Sequence, residues 1–260
     1  MVQTGGLALN CRFDHRLKLH EVKETSRLFS AVSYNVHQCV GIDRRRSPAR
    51  IAQVLNQLDA DVIGLQEVHS ENNGTGESHQ MQYLADATGR IAIAGPMIAR
   101  ANGEYGNVLL SRHPVINARR LDLSVPGREA RGAIDVDIDT GNGVLRVIVS
   151  HLGLRVRERI YQTKRLLAGI AKEATTPVIV LLDFNEWFPW GFPILRFNEE
   201  FGKAPSLRTF PARAPIFSLD RIWVKPQRAL ISVRRCITPL TRIASDHLPL
   251  HATIDISRKE

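Results

Sequence analysis

The sequence predicts an α+β fold in which two mixed β-sheets pack face to face with helices outside them, a four-layer α/β/β/α sandwich. Three observations carry this. Short apolar runs that read as strands outnumber the amphipathic runs that read as helices. Their connections mix tight hairpin turns with helical crossovers, so both sheets should contain antiparallel and parallel neighbours. Several of the runs also end abruptly in polar residues, as strands do when they deliver side chains to the edge of a sheet. No shift in composition marks a domain boundary, so 30–260 reads as one domain and 1–29, which lacks clear periodicity, as an N-terminal extension.

Within the extension only 7–13 reads as a strand, and a poor one. Leu28–Val36 is a buried strand that runs into Ser33-Tyr34-Asn35-Val36-His37. After a loop containing Arg44-Arg45-Arg46, Ser47-Pro48 supplies an N-cap and a first-turn proline, opening a helix with Ile51, Val54, Leu55 and Leu58 on one face. Beyond the turn Asp59-Ala60-Asp61, Val62–Val68 is a second buried strand, and it contains Gln66-Glu67 at its end. Residues 70–80 form a polar loop leading into a helix over about 77–88, followed by strands at 91–95 and Gly106–Arg112, the latter closed by His113-Pro114.

Residues 115–124 and 130–139 alternate in strand fashion, with Ile134, Val136 and Ile138 set against Asp135, Asp137 and Asp139. Gly141-Asn142-Gly143 turns a hairpin into Val144–Ser150, which ends at His151. A basic amphipathic helix over about 155–173 should place Ile160, Leu167, Ile170 and Ala171 inward before Thr175-Thr176-Pro177 breaks it. Val178–Leu182 then runs into Asp183-Phe184-Asn185, and a period of two sends Asp183 and Asn185 to the same side. The run Trp187-Phe188-Pro189-Trp190-Gly191-Phe192-Pro193 reads as a loop because of its prolines and glycine. Residues 218–225 and 229–237 read as a strand pair, and Leu248–Ile256 as the last strand, preceded by Ser245-Asp246-His247.

Composition narrows the partners. With a net charge of +9 and a pI near 9.9, the surface attracts phosphate-bearing molecules, whether nucleic acid or anionic lipid. No apolar run approaches the roughly 18 residues a transmembrane helix needs, and Arg12, Asp14, Arg16, Lys18, Glu21 and Lys23 interrupt any signal-peptide core. Cys11, Cys39 and Cys236 are odd in number and far apart, forming neither a disulfide framework nor a zinc site. That suits a reducing compartment, and a cytoplasmic location is expected.

The strand-end polar residues are Asn35, Glu67, His151, Asp183, Asn185, Asp220 and the pair Asp246-His247. Singly, each has a local explanation: a turn cap for Asn35, a surface ion pair for Glu67 or Asp220, a core histidine for His151, turn chemistry for Asp246. Together they supply what phosphodiester hydrolysis requires. Glu67, Asp246 and the Asn35 amide are hard oxygen donors of the kind Mg²⁺ takes. A carboxylate such as Asp183 can orient and deprotonate water, and a carboxylate–imidazole pair such as Asp220–His247 can stabilise a pentacovalent phosphate.

The ordered set Tyr34-Asn35-Val36, Leu65-Gln66-Glu67-Val68, Gly106-Asn107-Val108-Leu109-Leu110-Ser111-Arg112, Ser150-His151-Leu152, Asp183-Phe184-Asn185, Leu219-Asp220-Arg221-Ile222 and Ser245-Asp246-His247-Leu248-Pro249-Leu250 resembles the endonuclease/exonuclease/phosphatase superfamily over about residues 30–256. The resemblance implies a deoxyribonuclease-like sandwich that uses Mg²⁺ or Mn²⁺. It implies Glu67 as main metal ligand beside Asn35 and Asp246, and Asp183 as the group that activates the nucleophile. It further implies Asn185 as an orienting residue, His151 on the phosphate, Asp220–His247 as a supporting dyad and Asn107 in the pocket wall. Leu182 stands where the family usually has glycine, and would either narrow the pocket or face the core.

The first, second and fourth motifs differ from the abasic-site endonuclease branch, which usually carries tyrosine at the position of His151. They look more like neutral sphingomyelinases, pancreatic deoxyribonuclease and related bacterial hydrolases, as does Thr209-Phe210-Pro211. The expected substrate is therefore a nucleic acid or a phospholipid-type diester. A phosphomonoesterase, or a catalytically silent member that binds anionic partners, are the alternatives. Trp187 and its aromatic loop should rim the site, either as packed rings or as a contact for a stacked base or a peripheral membrane surface. Arg44 in its arginine run, with Arg155, Arg157 and Arg159, should ring the cleft as substrate contacts or form a solvated basic face.

Overall fold

A computed structural model describes residues 27–71, 76–100, 103–171 and 177–258, so the strand expected at 7–13 lies outside the described residues. The first half of the chain runs β1 (Leu28–Asn35), α1 (Pro48–Leu58), β2 (Val62–Glu71), α2 (Gln80–Thr88), β3 (Ile91–Arg100), β4 (Gly103–Ser111), β5 (Val115–Asp122) and β6 (Gly132–Asp139). The second half runs β7 (Val144–His151), α3 (Val156–Ala171), β8 (Val178–Asp183), α4 (Phe192–Phe201), β9 (Asp220–Lys225), β10 (Leu230–Arg235), α5 (Thr241–Ala244) and β11 (Leu250–Asp255). They form a six-stranded sheet in the order β10-β11-β1-β2-β4-β3 and a five-stranded sheet in the order β5-β6-β7-β8-β9. The predicted sandwich of two mixed sheets is the observed fold.

Alternation along the strands builds the layers. Ala31 of β1 and Val62 of β2 face the other sheet, together with Val147, Val149, Ile179 and Leu181. Their neighbours Val32, Ile63 and Leu65 face outward and are covered by Ile51, Val54 and Leu55 of α1 and Leu84 of α2. In the second sheet Ile148, Val180 and Leu182 face outward instead, under Leu166 of α3 and Phe197 of α4. Gly64 lets the sheets approach, because a Cβ there would stand 2.8 Å from Leu181 Cδ1 and 2.9 Å from Val149 Cγ2. Each sheet holds one parallel pair, β1–β2 crossed by α1 and β7–β8 crossed by α3. Ser47 caps α1 by accepting from Arg50 N–H, as its sequence predicts.

Four expectations are corrected. Residues 218–225 and 229–237 do not pair with each other: β9 pairs with β8 in one sheet, and β10 with β11 in the other. Each strand ends its own sheet, but Ile222 and Val224 of β9 face the intersheet core while Trp223 faces α4, so β9 is covered on both faces, whereas β10 is half exposed. Residues 192–193, expected in a loop, open α4, where Pro193 occupies the first turn and Ile194, Phe197 and Phe201 are buried. The inward face of α3 is not the apolar one expected. Glu158, Arg159, Gln162 and Thr163 are buried beside Leu166 and Ile170, while Ala171 is exposed. Asp135, expected to face solvent, is buried because Arg146 Nε and Nη2 donate to it at 2.7 and 2.5 Å. Among the described residues no helix is long and apolar enough to cross a membrane.

Candidate active site

Parallel strands deliver their C-terminal ends to one edge, and the register brings those ends together. Asn35 closes β1 beside Gln66 of β2, and His151 closes β7 beside Asp183, the last residue of β8. Asp220 arrives from the opposite direction: it opens β9, which is antiparallel to β8, and so lies opposite Asp183. Asp246 and His247 come from the segment between α5 and β11, tied in by a bond from Ser245 Oγ to Asn35 O at 2.8 Å. Glu67 lies at a bulge between β2 and β4, with φ of 62°, and Asn185 has φ of 50°. Such left-handed backbone in residues other than glycine is held only where surrounding structure compels it, and it often marks functional sites.

Asp183, fully buried, is the centre of the arrangement. Its Oδ2 accepts from Asn35 Nδ2 at 2.9 Å and lies 3.5 Å from His151 Nε2 and 3.9 Å from His247 Nε2. Its Oδ1 accepts from Asn185 N at 3.0 Å. Asn35 Nδ2 also donates to Glu67 Oε1 at 2.9 Å, and Asn185 Nδ2 donates to Leu152 O at 2.9 Å. Across the cluster His247 Nδ1 bonds Asp220 Oδ2 at 2.8 Å. Burial, and then the charge of Asp220, push the Asp183 carboxyl well above its ordinary range. Burial works against a charge on His247, but Asp220 and then Asp183 outweigh it and push the ring up to about 10. Burial, followed by Arg131 and His247, holds His151 well below the usual imidazole value.

Arg131 was not anticipated from the sequence. Its Nη1 lies 3.0 Å from His151 Nδ1, and with Glu67, Tyr105, Asn107 and His151 it lines a small pocket at the cluster. A guanidinium only donates, so Nδ1 must accept and a neutral His151 carries its hydrogen on Nε2. Asn185 Nδ2, 2.7 Å from Nε2, is a competing donor, because a neutral imidazole accepts at one nitrogen only, and the permanently charged Arg131 makes the stronger of the two bonds. The signal for Arg131 lay in the hairpin: counting back from Gly141-Asn142-Gly143 puts Ala133 opposite Ser150, with Arg131 just beyond. Asn107 lines the same small pocket and donates from Nδ2 to Gly132 O at 3.0 Å. Tyr105, whose phenol bonds Glu67, was also missed.

The comparisons with known proteins bear on family and fold. The model of the endonuclease/exonuclease/phosphatase family matches residues 32–247. The chain belongs to that family. It is 31% identical to protein YbhP of Escherichia coli over 249 residues, covering 88% of this chain and 96% of YbhP. A Bacteroides vulgatus family structure superposes with a TM-score of 0.72 at 19% identity, covering 88% of this chain and 99% of that one. A mannosyl-6-phosphatase of Bacteroides thetaiotaomicron gives 0.65 at 17% identity, covering 87% and 99%. At such identities the structural likeness is one of fold. Family members are generally hydrolases of phosphoester bonds and generally depend on a divalent metal.

Two groupings in this family member bear on a metal. Asp183, Asp220 and His247 hold ligand atoms within 4.8 Å of one another, but all are buried; bonds from Asn35 and Asn185 occupy both Asp183 oxygens and His247 occupies Asp220 Oδ2, which leaves Asp220 Oδ1 as the one carboxylate oxygen of the three residues without a partner. Glu67 and Asp246 are half-buried; Glu67 accepts from Asn35 Nδ2, and Asp246 Oδ1 lies 3.3 Å from the Ser245 hydroxyl that bonds Asn35 O. A hard cation that keeps several waters fits the second set better, because its carboxylates reach solvent. The second set is also the one the family resemblance implied.

The surrounding residues divide. Leu182, at the position of the usual family glycine, is buried in the core under α3 and α4 and does not face the pocket. Trp187 packs edge-on against Phe217 and Phe210 at centroid separations of 4.7 and 6.0 Å, and the Phe210 ring lies 4.9 Å from His247. Arg44 is exposed on the loop before α1, with its N–H bonded to Gly41 O. Arg155 and Arg157 are exposed, but Arg159, expected with them, is only 2% exposed, because its guanidinium pairs with Glu186 at 3.1 Å. A face of the helix that reads as basic thus turns one arginine inward.

Proposed function

We propose that the chain is a Mg²⁺-dependent phosphodiester hydrolase, able to use Mn²⁺, acting on nucleic acid or a phospholipid-type diester. The observation that carries this reading is the buried Asp183 carboxylate, bonded by Asn35 and Asn185 and flanked by His151 and the Asp220–His247 pair. Glu67, Asp246 and Asn35 would hold the ion, which when bound neutralises charge that develops on the phosphoryl oxygens. Asp183, made more basic by its surroundings, takes the proton of the attacking water as the water oxygen bonds to phosphorus and the opposite ester oxygen–phosphorus bond breaks, the leaving alkoxide taking a proton from solvent. Asn185 orients that water or the phosphate. His151 donates from Nε2 to a phosphoryl oxygen, and His247, kept protonated by Asp220, stabilises the pentacovalent arrangement. Asn107, Arg44 and Trp187 would contact the rest of the substrate.

Hydrolysis of a soluble aryl phosphodiester and nicking of supercoiled plasmid, each with Mg²⁺ and with chelator, test the proposal. Asp183→Asn should lower turnover by about 10²–10⁴-fold while leaving the circular dichroism spectrum unchanged. Equal turnover in the variant would leave a binder of anionic partners, and cleavage of aryl monoester alone would make the protein a phosphatase, as one relative of the same fold is named.

A further inference from the structure

The two loops that leave the strands of His151 and Asp183 carry a group of apolar side chains that are exposed among the described residues. Leu154 and Val156 are 66% and 59% exposed, and Phe188 and Trp190 are 56% and 69% exposed. The neighbouring Trp187 behaves differently, since its ring packs on Phe217 and Phe210.

These side chains are held outward by a built scaffold. Glu186 and Arg159, both nearly fully buried, pair beneath the loops. Arg159 also donates to Leu154 O at 2.5 Å, and Glu186 Oε1 accepts from Phe188 N at 3.2 Å, so one ion pair anchors both loops. Phe188 and Trp190 lie against each other at 5.5 Å, and Gly191 N closes the turn on Phe188 O at 3.0 Å. Gly191 is required there, because a Cβ would come within 2.3 Å of the Glu186 carboxyl carbon. A buried ion pair is a costly way to hold a loop, and here it directs large apolar groups into water.

The charge on these two loop segments has one sign. Segments 154–157 and 187–192 contain Arg155 and Arg157 and no acidic residue, and Glu158 and Glu186, which flank them, are both buried. Rings at loop tips with arginines between them suit an anionic bilayer interface, where Trp and Phe lie at headgroup depth and cations meet lipid phosphates. Nucleic acid is a poorer match, since Leu154 and Val156 offer no face for a base to stack on and the exposed rings already lie against each other. We propose that the Leu154–Arg157 and Trp187–Phe192 loops dock this protein on anionic lipid bilayers, with the cleft of Asp183 facing the membrane. The proposal draws on the hydrolase reading only for what the docked cleft would meet.

Co-sedimentation of the full chain with vesicles of phosphatidylcholine, with and without phosphatidylglycerol, tests the surface directly. The natural protein should sediment with the mixed vesicles and not with phosphatidylcholine alone. Phe188→Ser combined with Trp190→Ser should weaken that partitioning by about tenfold or more, since two rings lose their burial. Hydrolysis of a soluble aryl phosphodiester should be the same in both proteins, with circular dichroism as the check on folding and the single change Trp190→Ser as a milder second variant. Failure of the natural protein to bind mixed vesicles, or equal binding by the variants, overturns the proposal. Vesicle binding that depends on the rings in a protein that cleaves no diester would retain the surface and sink the catalytic reading instead.

Discussion

Asp183 and His151 illustrate how much of a side chain's chemistry is set by what donates to it. Asp183 accepts from two amides and is raised by burial and by Asp220. His151 has a hydrogen-bonding guanidinium on one nitrogen and a carboxylate 3.5 Å from the other. Arg131 should therefore act through His151, fixing which nitrogen carries the hydrogen. Nitrogen-15 NMR of histidine-labelled protein should show the Nε2–H form at His151. Arg131→Lys should retain that form, and Arg131→Met should show a mixture and a turnover reduced by about 10-fold or more, the loss of one aligned charged donor. An unchanged nitrogen spectrum in Arg131→Met would leave Arg131 with a packing role only.

Along β8, alternation assigns the two faces different duties. Ile179 and Leu181 lie between the sheets, while Val180 and Leu182 lie under the helices. Of the two roles left open for position 182, facing the core is the one observed, because Leu182 points into a cluster with Phe184, Phe197 and Trp223. Leu182→Gly should therefore leave the pocket unopened and cost about 3–5 kcal/mol, from the cavity and the added backbone freedom of glycine in a strand. Urea denaturation would measure the loss, and turnover well below the new melting temperature should be close to that of the natural protein. A gain in activity toward bulkier diesters would show that Leu182 does shape the pocket.

For the molecule as a whole, the site exists only because two sheets meet at a set separation. Asn35, Glu67, Asp246 and His247 belong to the six-stranded sheet or its connections, and His151, Asp183 and Asp220 to the five-stranded one. The bonds Asn35–Asp183 and His247–Asp220, 2.9 and 2.8 Å long, cross between them. Gly64 sets that approach, with its hydrogen facing Leu181 and Val149. Gly64→Val should lower stability by about 1–3 kcal/mol through overpacking and should also depress turnover, because prising the sheets apart lengthens the bonds that cross them. Thermal melts and aryl diester kinetics on the same preparation would show both effects, and a loss of stability with full turnover would mean that the cleft adjusts independently of the core.

Much of this was legible along the chain. A period of two assigned alternate faces to each strand, abrupt polar ends located Asn35, Glu67, His151 and Asp183, and the ordered motifs identified the family. What the chain could not show depends on which neighbours each face meets. Periodicity reports that a strand has two buried faces without naming the sheet it joins, so β9 and β10 read as partners although they lie in different sheets. It cannot separate a solvated arginine from one neutralised by a glutamate 27 residues away, as at Arg159 and Glu186. Nor can it tell whether an aromatic run will pack inward, and here Trp187 packs edge-on against Phe217 while still 39% exposed, whereas Phe188 and Trp190 are more exposed, at 56% and 69%. Local pattern follows from the covalent chain, whereas burial, pairing and charge compensation are properties of distant residues brought within a few ångströms, and only the folded structure supplies those distances.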